Sequence, residues 1–401
     1  MYDLDSILDA TTGGASIISQ EHDLGNIIPA APTRDPGEFA PTQAIAITRA
    51  SLDNSTGRVS LMSASGILPW HGLGVVVDKA CSSEEAIRFA GLDWQVSKIP
   101  MSYTWQDGAR ESRDTFAIVR QDTGRQLGTV GTRYAPIQNA EGFGFLDDVL
   151  AQHGARFETA GALFGGEKVF MLAHFPNERF AVNGSDCVEP YVAFCNPHDG
   201  TGCATCFPTE VRIVCANTFR TAGAAKGDKG IKIRHTGSVK SKIRAAQTAL
   251  GIAVDSFAQF RQAAEVMTSK PLEVRTFANA VLDAVMDVTE IEQKAGFGPI
   301  AASIVDATER DAASKRFDAA TEKRGKMLDE IMTRYEGRRN GVGGMRGTAW
   351  AAFNAVTEAA DHAKPGRRVG SQDDQRSRRF ESILAGAADE MKQVAFRLAT
   401  V

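Results

Sequence analysis

The hydrophobic pattern of this chain changes period near Ser238, and no other feature of the sequence constrains the fold as strongly. Before that point, strand-like segments such as residues 115–120 alternate apolar and polar side chains and are separated by turn residues. After it, apolar residues such as Leu250, Val254 and Phe257 recur at the spacing of one helix face. The sequence therefore predicts an α+β protein, with an antiparallel β-rich central body that includes short helices, followed by a helical C-terminal region.

Composition divides the chain into three parts. Residues 1–60 are rich in small and polar residues and contain four prolines, so they are predicted to form a disordered, acidic, proline-containing tail. Residues 61–237 are predicted to form an α+β core domain that carries a cluster of polar residues. Residues 238–401 are predicted to form the helical region.

Composition also limits the class of protein. The 401 residues are 43% hydrophobic and 23% charged, as in globular proteins, and the net charge of −4 excludes a uniformly basic nucleic-acid coat. No apolar run approaches the roughly 20 residues of a membrane-spanning helix, and the first residues lack the pattern of a secretory signal. Six cysteines are too few for a disulfide scaffold in this chain. We therefore expect a cytoplasmic protein without a membrane partner.

A dense set of polar side chains lies in residues 196–235, beside segments with the pattern of buried strands. Buried polar groups are costly unless they form hydrogen bonds, so this set indicates either a satisfied turn or a binding cleft. In the first interpretation, Asn196 and Asp199 satisfy turn amides and Arg212 pairs with Asp199. In the second, the side chains face a cleft that binds phosphate, a base or a metal. The set comprises Asn196, His198, Asp199, Arg212, Cys215, Asn217, Thr218 and His235.

The polar set leads directly into a strongly basic segment, where eight lysines and arginines are opposed by Asp228 alone between residues 220 and 244. Cations that neutralise phosphates gain affinity by releasing condensed counterions, so such a segment predicts nucleic-acid binding. A solvated loop is the structural alternative. The candidate nucleic-acid-binding residues are Asn217, Lys226, Lys229, Lys232, Arg234, His235, Lys240, Lys242 and Arg244.

The spacing of cysteine and histidine raises the question of a zinc site. Cys203 and Cys206 have the separation of half a tetrahedral site, and His198 is a candidate third ligand. A second pair with such spacing is missing from the sequence. Free thiols are therefore the better interpretation, and no cofactor is predicted.

Several short motifs follow one another along the chain. They are Pro69-Trp-His-Gly-Leu-Gly74, Tyr134-Ala-Pro-Ile-Gln-Asn139, Asn196-Pro-His-Asp-Gly200, Arg212-Ile-Val-Cys-Ala-Asn-Thr218 and Phe353-Asn-Ala-Val-Thr-Glu358. Their order and spacing resemble the phage/plasmid-like protein family, domain of unknown function 932, from about residue 69 to the C-terminus. The resemblance implies a phage or plasmid setting in a bacterial host cell. It transfers no catalytic residue, because the family carries no assigned reaction.

These observations favour a non-enzymatic protein that handles nucleic acid, of a DNA-binding or strand-annealing type, as an accessory of a mobile element. Self-association into a homo-oligomer is compatible with that role. One alternative is a metal-assisted hydrolase acting on a nucleotide or another phosphate-containing substrate. Its candidate catalytic residues are the general bases or metal ligands His198 and His235, the orienting Asp199 and the charge-stabilising Arg212. A second alternative is an interaction module for host defence or phage assembly.

Overall fold

The computed structural model describes most of the chain after residue 81. Its main segments are residues 82–144, 153–212, 256–286, 307–362 and 386–401, and its shorter ones are residues 62–63, 75–76, 147, 217–219, 231–236, 375, 378–379 and 381–383. The tail predicted for residues 1–60 lies outside the described residues.

Three antiparallel strands form a small sheet. They are β3 (Val96–Trp105), β4 (Gly108–Arg120) and β5 (Gln126–Gly131), in the order β3-β4-β5. The alternation of residues 115–120 and the turn around Gly124 predict the hairpin from β4 to β5, and this prediction is confirmed. Gly124 has a φ of +67°, a conformation that glycine adopts without steric cost.

Nine of the described strands form a large sheet. They are β1 (Met62–Ser63), β2 (Val75–Val76), β6 (Arg156–Leu163), β7 (Lys168–His174), β8 (Phe180–Val182), β9 (Asp186–Pro197), β10 (Ala204–Arg212), β11 (Asn217–Phe219) and β12 (Ile231–Ile233). The main path runs β11-β10-β9-β7-β6-β1-β2, while β8 pairs with β9 and β12 pairs with β10. The pairing of β1 with β2 is parallel, and the other described pairings are antiparallel.

The two faces of the large sheet bury different apolar clusters. One face, which includes Phe194, packs against the small sheet and the helices α1 (Ser83–Phe89) and α2 (Asn139–Gly144). The opposite face buries a smaller cluster that includes Phe170 and Phe207. Because side chains alternate between the faces of a strand, neighbouring residues of β7 or β9 belong to different cores.

The described C-terminal part of the chain is helical. Its helices are α3 (256–269), α4 (Val274–Val285), α5 (Ala307–Glu336), α6 (Ala349–His362) and α7 (Ala387–Thr400). A third core lies among these helices and reaches Val188 of β9. Trp350 Nε1 donates a 2.8 Å hydrogen bond to the carboxylate of Asp186 at the start of β9, which ties the helices to the large sheet.

This arrangement confirms the predicted α+β class, with antiparallel strands followed by helices. Within the helical region the sequence also predicts a charged helix over residues 304–337 and a helix over residues 348–362, and these correspond to α5 and α6. Among the helices described, none has both the length and the apolar character needed to cross a bilayer.

Candidate functional site

The antiparallel pairing of β9 with β10 separates polar residues that are close together in the sequence. Cys195 of β9 lies opposite Thr205 at one end of the pair, whereas Val188 lies opposite Arg212 at the other end. Since a strand rises about 3.3 Å per residue, Arg212 is about 30 Å from the turn that follows β9. Asn217 pairs with Arg212 and also lies at that far end, next to α6. Arg212 and Asn217 therefore lie at the opposite end of the strand pair from His198.

His198 belongs to the polar set and lies in the turn directly after β9. Its side chain is fully buried, and its Nε2 lies 2.9 Å from Oδ1 of Asn139. The amide nitrogen of Asn139 donates to two backbone carbonyls, so its oxygen is the acceptor and Nε2 of His198 carries the proton. Burial, together with the nearby His235 and Arg120, lowers the pKa of His198 to about 3. His198 is thus a neutral imidazole that links the end of β9 to the start of α2.

The turn residues of the set form hydrogen bonds within the chain itself. Asn196 is buried, and its Nδ2 donates to the carbonyl of Ile137 at 2.9 Å. Asp199 Oδ1 accepts from the backbone N–H and the hydroxyl of Thr201 at 2.9 and 2.8 Å, which closes a local turn. The other oxygen of Asp199 lies 4.0 Å from Nζ of Lys168. These contacts favour the structural interpretation of the turn. Its predicted pair of Arg212 with Asp199 is wrong, because Arg212 lies at the other end of the strand pair and the cation beside Asp199 is Lys168.

The two closely spaced cysteines have different environments. Cys206 lies in β10, where its side chain belongs to the apolar core, and burial together with the nearby Cys195 raises the pKa of the Cys206 thiol to about 12. Cys203 is half-buried and precedes the strand. Among the residues that the structure describes, no group of three His, Cys, Asp or Glu side chains is arranged to hold a metal. The Cys206 side chain therefore packs as part of the apolar core.

A buried arginine lies beside His198, and no sequence motif indicates it. Arg120 is fully buried, and its guanidinium carbon lies 4.4 Å from the ring centroid of Trp94. Its Nε and one terminal nitrogen contact the carboxylate of Asp122 at 2.8 and 3.1 Å, while the other terminal nitrogen donates to the carbonyl of Gly165 at 3.1 Å. The ring of Trp94 also meets that of His198 edge-on, with centroids 5.4 Å apart. The charge of Arg120 thus contributes to keeping the imidazole neutral.

His235 lies where the two sheets meet. It is buried, its ring stacks on that of Tyr134 with centroids 4.7 Å apart, and its carbonyl accepts from the N–H of Ala135 at 2.6 Å. The hydroxyl of Tyr134 donates to the carbonyl of Pro197 at 3.3 Å. Burial, together with the charge of Asp199, raises the pKa of Tyr134. His235 and Tyr134 therefore connect β12 to the end of the small sheet.

Cations surround this junction on its solvent side. Lys232 and Arg234 are exposed while the residue between them is buried, so both side chains project from one side of the chain at β12. Arg133 is exposed beside the junction, and Lys98 is half-buried and donates to two backbone carbonyls next to Arg133 at 2.7 and 2.9 Å. Within the described part of the chain, none of the four forms an ion pair. Lys98, Arg133, Lys232 and Arg234 are called the basic surface below.

The residues predicted to bind nucleic acid thus have different positions. Lys232 and Arg234 are accessible to a ligand, His235 is buried behind them, and Asn217 lies at the far end of β10. The other predicted cations lie outside the described residues; these are Lys226, Lys229, Lys240, Lys242 and Arg244. Sequence patterns did not identify Lys98 and Arg133, which are isolated cations along the chain and join the others only through folding.

A second polar cluster lies on the other face of the large sheet, and the sequence analysis did not identify it. Nε2 of His174 lies 2.7 Å from Glu189, and its Nδ1 lies 3.7 Å from Glu158. The hydroxyl of Tyr191 donates to both oxygens of Glu158 at 3.0 and 3.1 Å, and Nε of Arg179 lies 3.0 Å from Glu189. Burial and the charge of Glu158 raise the pKa of Tyr191. Each carboxylate thus has partners, as buried charges require.

Comparison with known proteins identifies the family. A family model described as Domain of unknown function (DUF932) matches residues 126–384, which is more than half of the chain. The match includes Arg133, Lys232 and Arg234 of the basic surface, whereas β3 and β4 precede it. No curated protein and no solved structure matches the chain. The protein therefore belongs to the family described as domain of unknown function DUF932.

Proposed function

We propose that this protein binds DNA through the basic surface, as a non-enzymatic accessory of a phage or plasmid element. The observation that carries the proposal is the group formed by Arg133, Lys232 and Arg234, three exposed cations at the junction of the two sheets. They have no ion-pair partner among the described residues. In a chain with a net charge of −4, a local group of unpaired cations suits a polyanionic partner.

The spacing of these cations supports phosphate contacts. Lys232 and Arg234 are two residues apart in an extended segment, so their attachment points are about 7 Å apart and each side chain can reach a different phosphate. Arg133 adds a third contact from the turn that follows β5. The basic sequence of residues 220–244 continues the same charge along the chain. Such contacts position a nucleic acid without reading its sequence.

The same geometry gives less support to an enzymatic function. His198 donates its only ring proton to Asn139 and is buried, which makes it unsuitable as a general base for an external substrate. Asp199 is engaged in its own turn, and Arg212 is about 30 Å away along the strands. No specific observation among the described residues therefore favours the hydrolase alternative.

Measurement of DNA binding against salt concentration tests the proposal. The probes are a short single-stranded DNA of mixed sequence and the corresponding duplex, with affinity measured by fluorescence anisotropy. We expect affinity for both to fall steeply with salt, because bound cations release counterions from the phosphates. The double variant Lys232→Gln/Arg234→Gln should reduce the slope of log affinity against log salt by about 0.7 per lost contact on single strands and about 0.9 on duplex.

A matched control removes two positive charges elsewhere. Arg316→Gln/Lys323→Gln changes two exposed side chains of α5 and should leave the salt slope unchanged. If the wild-type protein binds neither probe at low salt, the proposal is wrong. If both double variants weaken binding equally, net charge determines the affinity and the basic surface has no special role.

A further inference from the structure

The small sheet extends beyond the rest of the protein as a two-stranded arm. Residues 102–105 of β3 pair with residues 108–111 of β4, whereas β5 pairs with the C-terminal half of β4. The register shifts between the arm and the rest of the sheet. At this point a single residue of β3, Met101, corresponds to four residues of β4, 112–115. Every side chain from residue 102 to residue 111 is exposed. Residues 102–111 are called the arm below.

The two faces of the arm differ in chemistry. Tyr103 lies opposite Arg110 and Trp105 lies opposite Gly108, so these four residues share one face, called the aromatic face below. Tyr103 is 55% exposed and Trp105 is 60% exposed. A Cβ atom added to Gly108 would meet no other atom within 4 Å, which leaves open space beside the indole. The other face carries Ser102, Thr104, Ala109 and Glu111.

The aromatic face has the features of a contact surface without a partner in the chain. Tryptophan is highly buried on average, so an indole exposed to this extent beside a second exposed aromatic ring is unusual. Arg110 forms no ion pair among the described residues. The nearest carboxylates of the arm are that of Glu111 on the opposite face and that of Asp107 in the turn. A suitable partner therefore offers flat apolar surfaces for the rings and a negative charge for the guanidinium.

We propose that the aromatic face binds an unpaired DNA strand, with Tyr103 and Trp105 stacking on bases and Arg110 contacting a phosphate. An unpaired strand presents both chemistries together, because its bases have free π-faces and its backbone carries one charge per nucleotide. In duplex DNA the bases stack on each other and offer the arm only phosphates. The inference rests on the proposed DNA binding and adds a preference for unpaired strands.

The position of the arm relative to the basic surface supports the same occupant. Strand β3 connects the two, because it runs from Lys98, the member of the basic surface on this strand, to Trp105 at the tip of the arm. Seven residues of extended chain span about 23 Å, so one DNA strand of a few nucleotides can contact both. Phosphate contacts at the basic surface and stacking at the arm would then act on one ligand.

The charge of Arg110 disfavours the other occupants of an exposed aromatic surface. A second copy of the chain, or another protein with an apolar surface, would bury a guanidinium that has no carboxylate partner on its own face. Burying such a charge is costly unless a counter-charge accompanies it. DNA supplies that counter-charge with each phosphate, and a matching protein partner would have to supply a carboxylate at the same place.

The test replaces both rings in the full-length protein. Tyr103→Ser/Trp105→Ser should weaken binding to the single-stranded probe about tenfold or more, since it removes two base–aromatic stacks. Its affinity for the duplex probe should change less than about twofold, because phosphate contacts dominate there. Trp105→Phe retains a ring that can stack and should keep most of the single-strand affinity. Ser102→Ala/Thr104→Ala alters the opposite face of the same arm and should change neither affinity.

The outcomes separate this inference from the proposed function. Retained duplex binding together with lost single-strand affinity supports the arm contact and shows that the variant is folded. If the ring variant binds both probes like the wild type while Lys232→Gln/Arg234→Gln is weakened, the arm inference is wrong and DNA binding stands. If the wild type binds neither probe, both proposals are wrong. A changed sedimentation coefficient of the ring variant with unchanged DNA binding would assign the arm to contacts between copies and overturn the inference.

Discussion

Two tryptophan–arginine pairs lie along the small sheet, one inside the protein and one outside. Trp94 and Arg120 are 5% and 0% exposed, and the guanidinium lies over the indole at 4.4 Å. Trp105 and Arg110 share the aromatic face of the arm on neighbouring strands, where Trp105 lies opposite Gly108 and is 60% exposed. The buried arginine contacts the carboxylate of Asp122, whereas the exposed arginine has no ion-pair partner among the described residues. The two pairs contain the same residue types and differ in their surroundings.

The difference shows that residue type alone does not determine whether a tryptophan and an arginine stabilise the fold or remain exposed to solvent. Arg120 finds its counter-charge and its carbonyl acceptor inside the chain, so its contribution is to stability. Arg110 has solvent around it and adds little to stability. A side chain with unused bonding capacity on the surface is available for an external ligand. The same contrast distinguishes the buried His198 from the exposed cations of the basic surface.

Replacement of each arginine by alanine should separate the two pairs most strongly. Arg120→Ala should lower the free energy of unfolding by about 4 kcal/mol, because it leaves a cavity against Trp94 and removes the partner of Asp122. Arg110→Ala is the matched control and should change the free energy of unfolding by less than about 0.5 kcal/mol. Urea unfolding followed by circular dichroism measures both. Similar losses for the two variants would contradict the structural distinction.

Glycine-to-alanine substitutions should also affect the stability of the buried part of the small sheet and of the exposed arm differently, because the space around the added Cβ atom differs. A Cβ on Gly128 would lie 2.6 Å from the Cα of Asp199 and closer still to its carbonyl group, so the turn after β9 would have to move. Gly128→Ala should therefore destabilise the protein by about 3 kcal/mol. Gly108→Ala in the arm meets open space and should be tolerated within about 0.5 kcal/mol. A tolerated Gly128→Ala would mean that the turn does not pack on β5.

Acid should destabilise the buried region through His198. The pKa of His198 is about 3 in the folded protein and about 6.5 when unfolded, so between these values only the unfolded state takes up the proton. Stability should then fall by about 1.4 kcal/mol per pH unit as pH decreases from 6.5, or about 2 kcal/mol between pH 7 and pH 5. Urea unfolding at several pH values should show a shallower pH dependence for His198→Gln.

His153→Gln provides the control for this pH dependence. His153 is only half-buried and lies away from the turn, so its replacement should leave the wild-type slope in place. An unchanged slope in His198→Gln would show that His198 is accessible to protons in the folded state. That result would also weaken the structural interpretation of the turn and return His198 to the candidates for chemistry.

Much of the fold could be predicted from the sequence because its signals are local. The hairpin from β4 to β5 at Gly124 and the hairpin from β6 to β7 at Gly165 depend on turn glycines, and the long helix α5 depends on periodicity within a single segment. The arm could not be predicted in this way. Residues 108–114 contain one alanine among polar residues and glycine, without alternation, and they form a strand because β3 pairs with them.

The candidate site depends on contacts between distant segments, and the sequence therefore predicted less of it. Lys232 and Arg234 stand out in a basic stretch, whereas Arg133 joins them only because the N–H of Ala135 donates to the carbonyl of His235. The separation of Arg212 from His198 follows from the register of β9 and β10. The cluster around His174 likewise draws its members from different strands and loops of the chain, whose alignment no single segment encodes.

The smallest expected effect concerns the aromatic rings of the arm. Tyr103→Ser/Trp105→Ser should change the free energy of unfolding by less than about 0.5 kcal/mol, since both rings are more than half exposed and bury little apolar surface in the chain. Urea unfolding measures this change. Trp350→Phe is the comparison variant, because Trp350 is 1% exposed and truncation of a buried ring lowers the free energy of unfolding. A loss of more than about 1 kcal/mol in the ring variant would mean that the arm packs against the protein in solution. Its rings would then resemble Trp94, and the contrast between the two pairs would disappear together with the reason for expecting a DNA contact there.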